Sequence, residues 1–380
     1  MPKEIFIVAG EASADLHGAA LLTQIRHMEP AAQACGVGGT HLIRAGMNVC
    51  VEAKDLNIVG FTDWLDRFSE VYTSYRRLVR LIRTRQIDCA VLIDLPDLNL
   101  LLAKHLKAKG IPVIYYISPQ IWAWRKYRLK KIRDRVDRML VVFPFEEEFY
   151  KQNGVQAHFV GHPLVDSVPA RTSYRSQAEV IEAPRIAILP GSRRSELKHH
   201  TRLLIELVNR LLQKYPRAAF SLPVAPTLSS ALVKDNFAHP AITLMEHSAS
   251  TLLHSVDFAL VASGTATLEC ALVGTPLCLF YIVSPVSASI FKTITSYRGF
   301  LGMPNLLLGQ EVVREFIQER ATVENLFCES VRLIEDMDYR SRMTEQLTIC
   351  RQLLGNPGAA KRAAAHVVEF LNRKNEGQSF

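Results

Sequence analysis

Nowhere in these 380 residues does an apolar run approach the roughly 18 consecutive residues that a membrane-spanning helix requires. The first apolar stretch, residues 5–9, is far too short for a secretory signal. Both absences predict a cytoplasmic chain whose membrane contact, if it has any, is peripheral. Seven cysteines (Cys35, Cys50, Cys89, Cys270, Cys278, Cys328 and Cys350) are scattered without metal-finger spacing. They read as reduced thiols, which excludes a disulfide scaffold, and neither a metal site nor a cofactor is expected. Low-complexity tracts are missing, which argues against a disordered or fibrous chain. Two common nucleotide fingerprints are also missing: no G-x-G-x-x-G follows the first apolar run, and no turn ends in G-K-[ST].

Positive charge is in excess. Lysine and arginine total 45 against 37 acids, a formal charge of +8. Such a surface suits an anionic partner, whether nucleotide, phosphorylated substrate, lipid headgroup or nucleic acid, and charge alone does not choose among them.

Short apolar runs alternate with longer helical patterns. Strands are predicted at 5–9, 89–93, 113–117, 139–143 and 158–160, with a helix over 16–28 and an exit loop over 95–99. The pattern breaks near 161–184 and restarts with strands at 185–189, 220–224, 242–245, 258–261 and 277–281, and a helix over 201–214. This alternation predicts an α/β protein of two Rossmann-like, doubly wound domains facing a cleft. The boundaries fall at residues 1–165 and 166–356, and a final helix from residue 357 is expected to pack back on the first domain. Ligands of such sheets bind beyond the carboxyl ends of the strands, so function belongs to the loops there.

Five loops carry candidate chemistry. In the first, Gly10 permits a tight exit, Ser13 or Asp15 can cap a helix, and Glu11 and His17 add polar groups. In the second, Asp94 and Asp97 stand three residues apart around Pro96. A carboxylate at a strand end suits a general base, the other acid can orient it, and partial burial would raise the pKa of Asp94. A plain turn with Asp97 and Asn99 as caps is the bland alternative. The third holds Ser118, Gln120, Trp122 and Trp124, able to bond sugar hydroxyls and to pack sugar faces or acyl chains. The basic residues that follow also admit single-stranded nucleic acid. In the fourth, Gly191, Ser192 and Arg193 offer close approach, free amides and a guanidinium for a diphosphate. In the fifth, Ser263, Gly264, Thr265 and Thr267 open a helix, and Glu269 can accept ribose hydroxyls. Two phosphate-type loops with an acid for ribose describe a nucleotide-sugar site. Separately, Trp64, Leu65, Phe68, Val71, Tyr72, Tyr75, Leu78, Val79 and Ile82 form an apolar stripe with arginines around it, which suits either a headgroup layer or a core.

The segments GEASADLHG, IDLPDLN, SPQIWAWR, GHPLVD, LPGSRRSE, ASGTATLE and MPNLLLG occur in an order that resembles the bacterial lipid-A-disaccharide synthases, from about residue 5 to beyond 310. That resemblance implies a metal-independent, inverting glycosyltransferase of GT-B fold, peripheral to the anionic inner membrane. It would transfer 2,3-diacylglucosamine from its UDP donor to the 6-hydroxyl of 2,3-diacylglucosamine 1-phosphate, with no nucleic acid as partner and a homodimer left open. It makes Asp94 the base, Arg193 the diphosphate clamp and Glu269 the ribose ligand. Ser263, Gly264, Thr265 and Thr267 then line the nucleotide, and Asn305 lies near the donor. Two departures stand out: Ala14 where the family usually has glycine, and Leu98 where it usually has phenylalanine. The alternatives are another UDP-sugar transferase or an epimerase, a non-catalytic nucleotide-sugar-binding module, and, third, a nucleic-acid protein.

Overall fold

A parallel strand covered by helices on both faces meets no water, so it can be apolar at every position rather than at every second one. β1 (Glu4–Ala9) and β4 (Cys89–Ile93) follow that rule: Ile5 to Ala9 and all of Cys89 to Ile93 are buried. The computed structural model describes residues 2–56, 63–121, 126–246, 248–284 and 299–373. Within them the chain forms two compact units, Met1–Pro163 with Leu354–Phe380, and Leu164–Leu353.

The first unit adds β2 (Gln33–Gly38), β3 (Asn48–Glu52), β5 (Val113–Tyr116), β6 (Arg138–Val141) and β7 (Ala157–Phe159). Its strands pair in parallel in the order β3-β2-β1-β4-β5-β6-β7. The second unit holds β8 (Arg185–Leu189), β9 (Ala219–Pro223), β10 (Ile242–Met245), β11 (Phe258–Ala262), β12 (Leu277–Tyr281) and β13 (Glu315–Ile317). They are also parallel, in the order β10-β9-β8-β11-β12-β13. Each sheet therefore reverses its winding once, between β1 and β4 and between β8 and β11. That is where a doubly wound sheet opens a crevice for a ligand.

Several elements differ from the sequence expectation. β2, β3 and β13 were not anticipated: QACGVG carries two glycines, and Glu315–Ile317 is only three residues long. The expected exit loop over 95–99 is instead the first turn of the helix Pro96–Ala108, with Pro96 at a position where its missing amide costs nothing. The helix expected over 201–214 begins at Arg194, which places Glu196 in its first turn.

The helix Ala359–Arg373 lies in the first unit, packed on the helix Ala12–Met28. Its anchor is Arg138 of β6, whose side chain is 4% exposed, pairs with Glu369 and lies 4.5 Å from the Phe370 ring centre. Arg138 Nη1 also lies 3.0 Å from His366 Nδ1. Guanidinium only donates, so His366 carries its proton on Nε2. Burial, and then Arg138, push His366 down to about 4.

The apolar stripe of the helix Asp63–Thr84 divides between core and solvent. Leu78 and Ile82 are fully buried and Val71, Tyr75 and Val79 pack against the core, while Tyr72 is exposed. Arg76, Arg77, Arg80 and Arg83 face solvent. The side chains of Trp64, Leu65 and Phe68 lie outside the described residues. No helix among the described residues is long and apolar enough to cross a membrane.

Candidate active site

At the first reversal point Ala9 stands opposite Ile93, so Gly10 and Asp94 leave the sheet side by side. Asp94 (φ +49°) and Leu95 (φ +43°) are both left-handed, a conformation that costs a non-glycine residue about 1–3 kcal/mol. Two donors hold the bend: Asn99 Nδ2 gives a 2.6 Å hydrogen bond to the Asp94 carbonyl, and the buried Tyr115 hydroxyl donates to the same oxygen. The bend folds the Leu95 side chain over Gly10, where an added Cβ would lie 2.3 Å from Leu95 Cδ2. A side chain at position 10 would therefore have to displace Leu95.

The half-buried Asp94 carboxyl is raised to about 6, first by burial and then by the charge of Glu11, against a smaller lowering by the Leu95 amide. A carboxylate with that pKa is a better proton acceptor than an ordinary aspartate and stays ionised at neutral pH. Glu11 and Ser13 are exposed at the start of the helix Ala12–Met28, and Glu11, at the N-cap, makes no side-chain capping hydrogen bond.

Three expectations in this unit need correction. Asp15 is buried and accepts from the amides of Gly39 (2.6 Å), His41 (2.9 Å) and Leu42 (3.2 Å), so it ties down the start of a neighbouring helix, Thr40–Arg44, rather than facing a substrate. Asp97 does not orient Asp94: it is exposed and pairs with the buried guanidinium of Arg128. Ser118 is buried and donates to Glu146 at 2.6 Å. Gln120 is exposed, while Trp122 and Trp124 lie outside the described residues. His162, packed on Phe143 with ring centres 5.3 Å apart, is held near 3 by burial and then by His17, itself held near 4 by burial. Both imidazoles are neutral at physiological pH.

At the second reversal point Leu189 stands opposite Val261. The turn after β8 carries Gly191 at φ +111°, and an added Cβ there would meet Glu196 Oε2 at 2.2 Å. The amides of Ser192 and Arg193, expected to be free, both donate to that oxygen, at 2.8 and 3.1 Å. Glu196 Oε1 accepts from the Tyr281 hydroxyl (3.2 Å) and from Arg193 Nη1 (3.4 Å). His200 completes the support: Nδ1 lies 2.6 Å from the Pro190 carbonyl and Nε2 accepts from the Ile282 amide at 3.1 Å. That pattern places its proton on Nδ1, and burial lowers its pKa. The Arg193 side chain is 69% exposed and available to an anion.

The turn after β11 leaves Gly264 and Thr265 exposed at a helix start, where the first amides have no carbonyl one turn behind them. Ser263 Oγ donates to the Leu301 carbonyl at 3.2 Å. Two further expectations change here. Thr267 is fully buried, donating to the Gly264 carbonyl (2.8 Å) and accepting from the Met303 amide (3.3 Å), so it braces the turn from behind. Asn305 is buried with every hydrogen-bonding position used: Nδ2 donates to the Val313 carbonyl and Glu315 Oε1, and Oδ1 accepts from the amides of Val312 and Val313. No polar group remains on it for a donor sugar. Glu269 is half-buried, and burial raises its pKa.

A family model described as lipid-A-disaccharide synthetase matches residues 5–367. The chain belongs to this family. Relatives named lipid-A-disaccharide synthase include one from Syntrophus aciditrophicus, 39% identical over 98% of this chain and 99% of its own length, and one from Anaeromyxobacter dehalogenans, 40% identical over 98% of each. Among solved structures, the UDP-GlcNAc 2-epimerase of Neisseria meningitidis bound to UDP-GlcNAc matches with a TM-score of 0.64 at 12% identity, over 97% of this chain and 100% of that one. Acinetobacter baumannii MurG matches with a TM-score of 0.57 at 14% identity, over 98% and 100%. At such identities the likeness is one of fold, and it is the GT-B fold of two Rossmann-like domains. Membership makes the chain a glycosyltransferase of lipid A biosynthesis.

Sequence reasoning passed over Glu196, Tyr281 and His200, the supports of the first glycine turn. A glutamate three residues past a helix's N-cap was the available signal, since such a side chain reaches back to the amides before it. Among the described residues no group of three or more histidines, cysteines or acids is placed to hold a metal.

Proposed function

We propose that this chain transfers 2,3-diacylglucosamine from UDP-2,3-diacylglucosamine to the 6-hydroxyl of 2,3-diacylglucosamine 1-phosphate. The products are a β-1,6-linked tetra-acyl disaccharide 1-phosphate and UDP, formed with inversion at the donor's anomeric carbon. The observation that carries the mechanism is Asp94, a carboxylate raised to about 6 on a braced bend at a sheet's reversal point. It takes the proton as the acceptor oxygen attacks in line, and the bond to the diphosphate breaks as the new bond forms.

Arg193 neutralises the charge growing on departing UDP, helped by the backbone of Gly191, Ser192, Gly264 and Thr265 and the hydroxyl of Ser263. Glu269 accepts the ribose hydroxyls. Gly10, Glu11, Ser13, Gln120, Trp122 and Trp124 form the acceptor side. The exposed arginines of the helix Asp63–Thr84 suit an anionic inner-membrane surface, where both lipid substrates reside, so the protein acts peripherally at the cytoplasmic face.

Incubating the protein with both lipids tests this reading. Wild type yields disaccharide phosphate and free UDP, whereas Asp94→Ala loses about 10²–10⁴-fold in rate and Arg193→Ala loses a comparable share. Near-normal turnover by Asp94→Ala would remove it as the base.

A further inference from the structure

The turn read as the diphosphate site already holds an anion. Glu196, 7% exposed, places its carboxylate against the Ser192 and Arg193 amides and takes the Tyr281 hydroxyl and the Arg193 guanidinium as further donors. Those amides and that guanidinium are the groups a diphosphate would use. A helix N-terminus attracts one negative charge well, and a second beside it is repelled. The conformation of Gly191 fits this arrangement, because any side chain there would collide with the glutamate.

We infer that Glu196 is an internal competitor for the donor's diphosphate: it fills the amide nest of the empty enzyme and speeds release of UDP after transfer. This rests on the reading of residues 190–193 as the diphosphate site. While the site is vacant the carboxylate keeps the turn in its binding shape. When UDP enters, the carboxylate must give up the two amides or share them with a like charge, and either outcome weakens binding. After transfer the same carboxylate reclaims the amides. The energy withheld from UDP binding lowers product inhibition.

Titration calorimetry with UDP and with uridine separates the contributions. Glu196→Gln keeps the side chain's length and an accepting oxygen but removes its charge. It is expected to bind UDP about three- to tenfold more tightly, as removal of one charge beside a helix N-terminus allows, with uridine affinity unchanged. In turnover the same variant should show a correspondingly lower inhibition constant for UDP. Tyr281→Phe, which retains the charge but removes one of its anchors, should shift UDP affinity the same way by a smaller factor and covers the case in which the first variant misfolds. UDP affinity unchanged or weakened in a folded Glu196→Gln protein would overturn the inference while leaving the diphosphate site intact. Failure of the wild type to bind UDP at all would overturn the site, and this inference with it.

Discussion

On the proposed mechanism, a single carboxylate sets the acid limit of the activity. Asp94 must be ionised to accept a proton, and its pKa stands near 6, so kcat/KM should fall below pH 6 and level off above about pH 7. The same displacement affects stability with a defined sign. The folded-state value lies above the ordinary 3.8, so the group favours the folded state most at low pH, and that contribution disappears as pH rises through 6. Asp94→Asn should therefore be nearly inactive, yet melt ~2–4 °C higher than wild type at pH 7.5, with the gain shrinking towards pH 4. A variant that melts lower at neutral pH would mean that the carboxylate is held comfortably after all. Residue type and position sufficed to place Asp94 directly after a fully buried apolar strand with its pKa raised by burial; its role as the base is the proposal. They did not suffice for Asp15, Thr267 or Asn305. Each sits in the first turn of a helix, where a ligand could be met, but sequence carries no direction for a side chain, and all three point inward to brace backbone.

Among elements, legibility followed the continuity of the apolar run. β1, β4, β8 and β11 are covered on both sides and read as unbroken apolar runs. β2 is paired on both sides and buried, but two glycines break its apolar run; β3 and β13 are edge strands hidden by polar residues and by brevity. Helix starts were misread for a different reason. Pro96 and Arg194 look like loop residues, yet proline is favoured in a first turn, and Arg194 opens a helix whose third residue, Glu196, reaches back to the amides before it. The turn between β8 and the helix Arg194–Lys214 works as a unit, because the glycine, the reaching glutamate and the imidazole fit one another. Gly191→Ala should consequently displace the Glu196 carboxylate and strain a left-handed residue. It should lower the melting temperature by ~2–5 °C and, because the strained turn no longer presents its amides, weaken UDP binding at least tenfold, outweighing relief from the competing carboxylate. An alanine variant that binds UDP like wild type would show that the turn tolerates rearrangement.

For the molecule as a whole, the two sheets share one topology without evident sequence likeness, and each places its candidate chemistry where the winding reverses. That correspondence was readable from strand–helix alternation. The chain's return to its first unit was only a suggestion, since an amphipathic helix does not name the surface it covers. Arg138 names it: a cation 4% exposed needs a counter-charge, and Glu369 supplies it from more than two hundred residues away. Glu369→Gln leaves that cation under-compensated. Because the glutamate is 37% exposed, water screens part of the loss, and the cost should be about 1–2 kcal/mol, read as a lower denaturant midpoint with an unchanged slope.

Residues 164–353 are in effect a passage inserted within the first unit's own text. During synthesis the ribosome makes β1 to β7 early, but the helix that covers Arg138 emerges only after the whole intervening unit has been translated. The inserted unit can therefore complete its fold first, while the amino-terminal sheet waits, with one flank uncovered, for residues 359–373 to arrive.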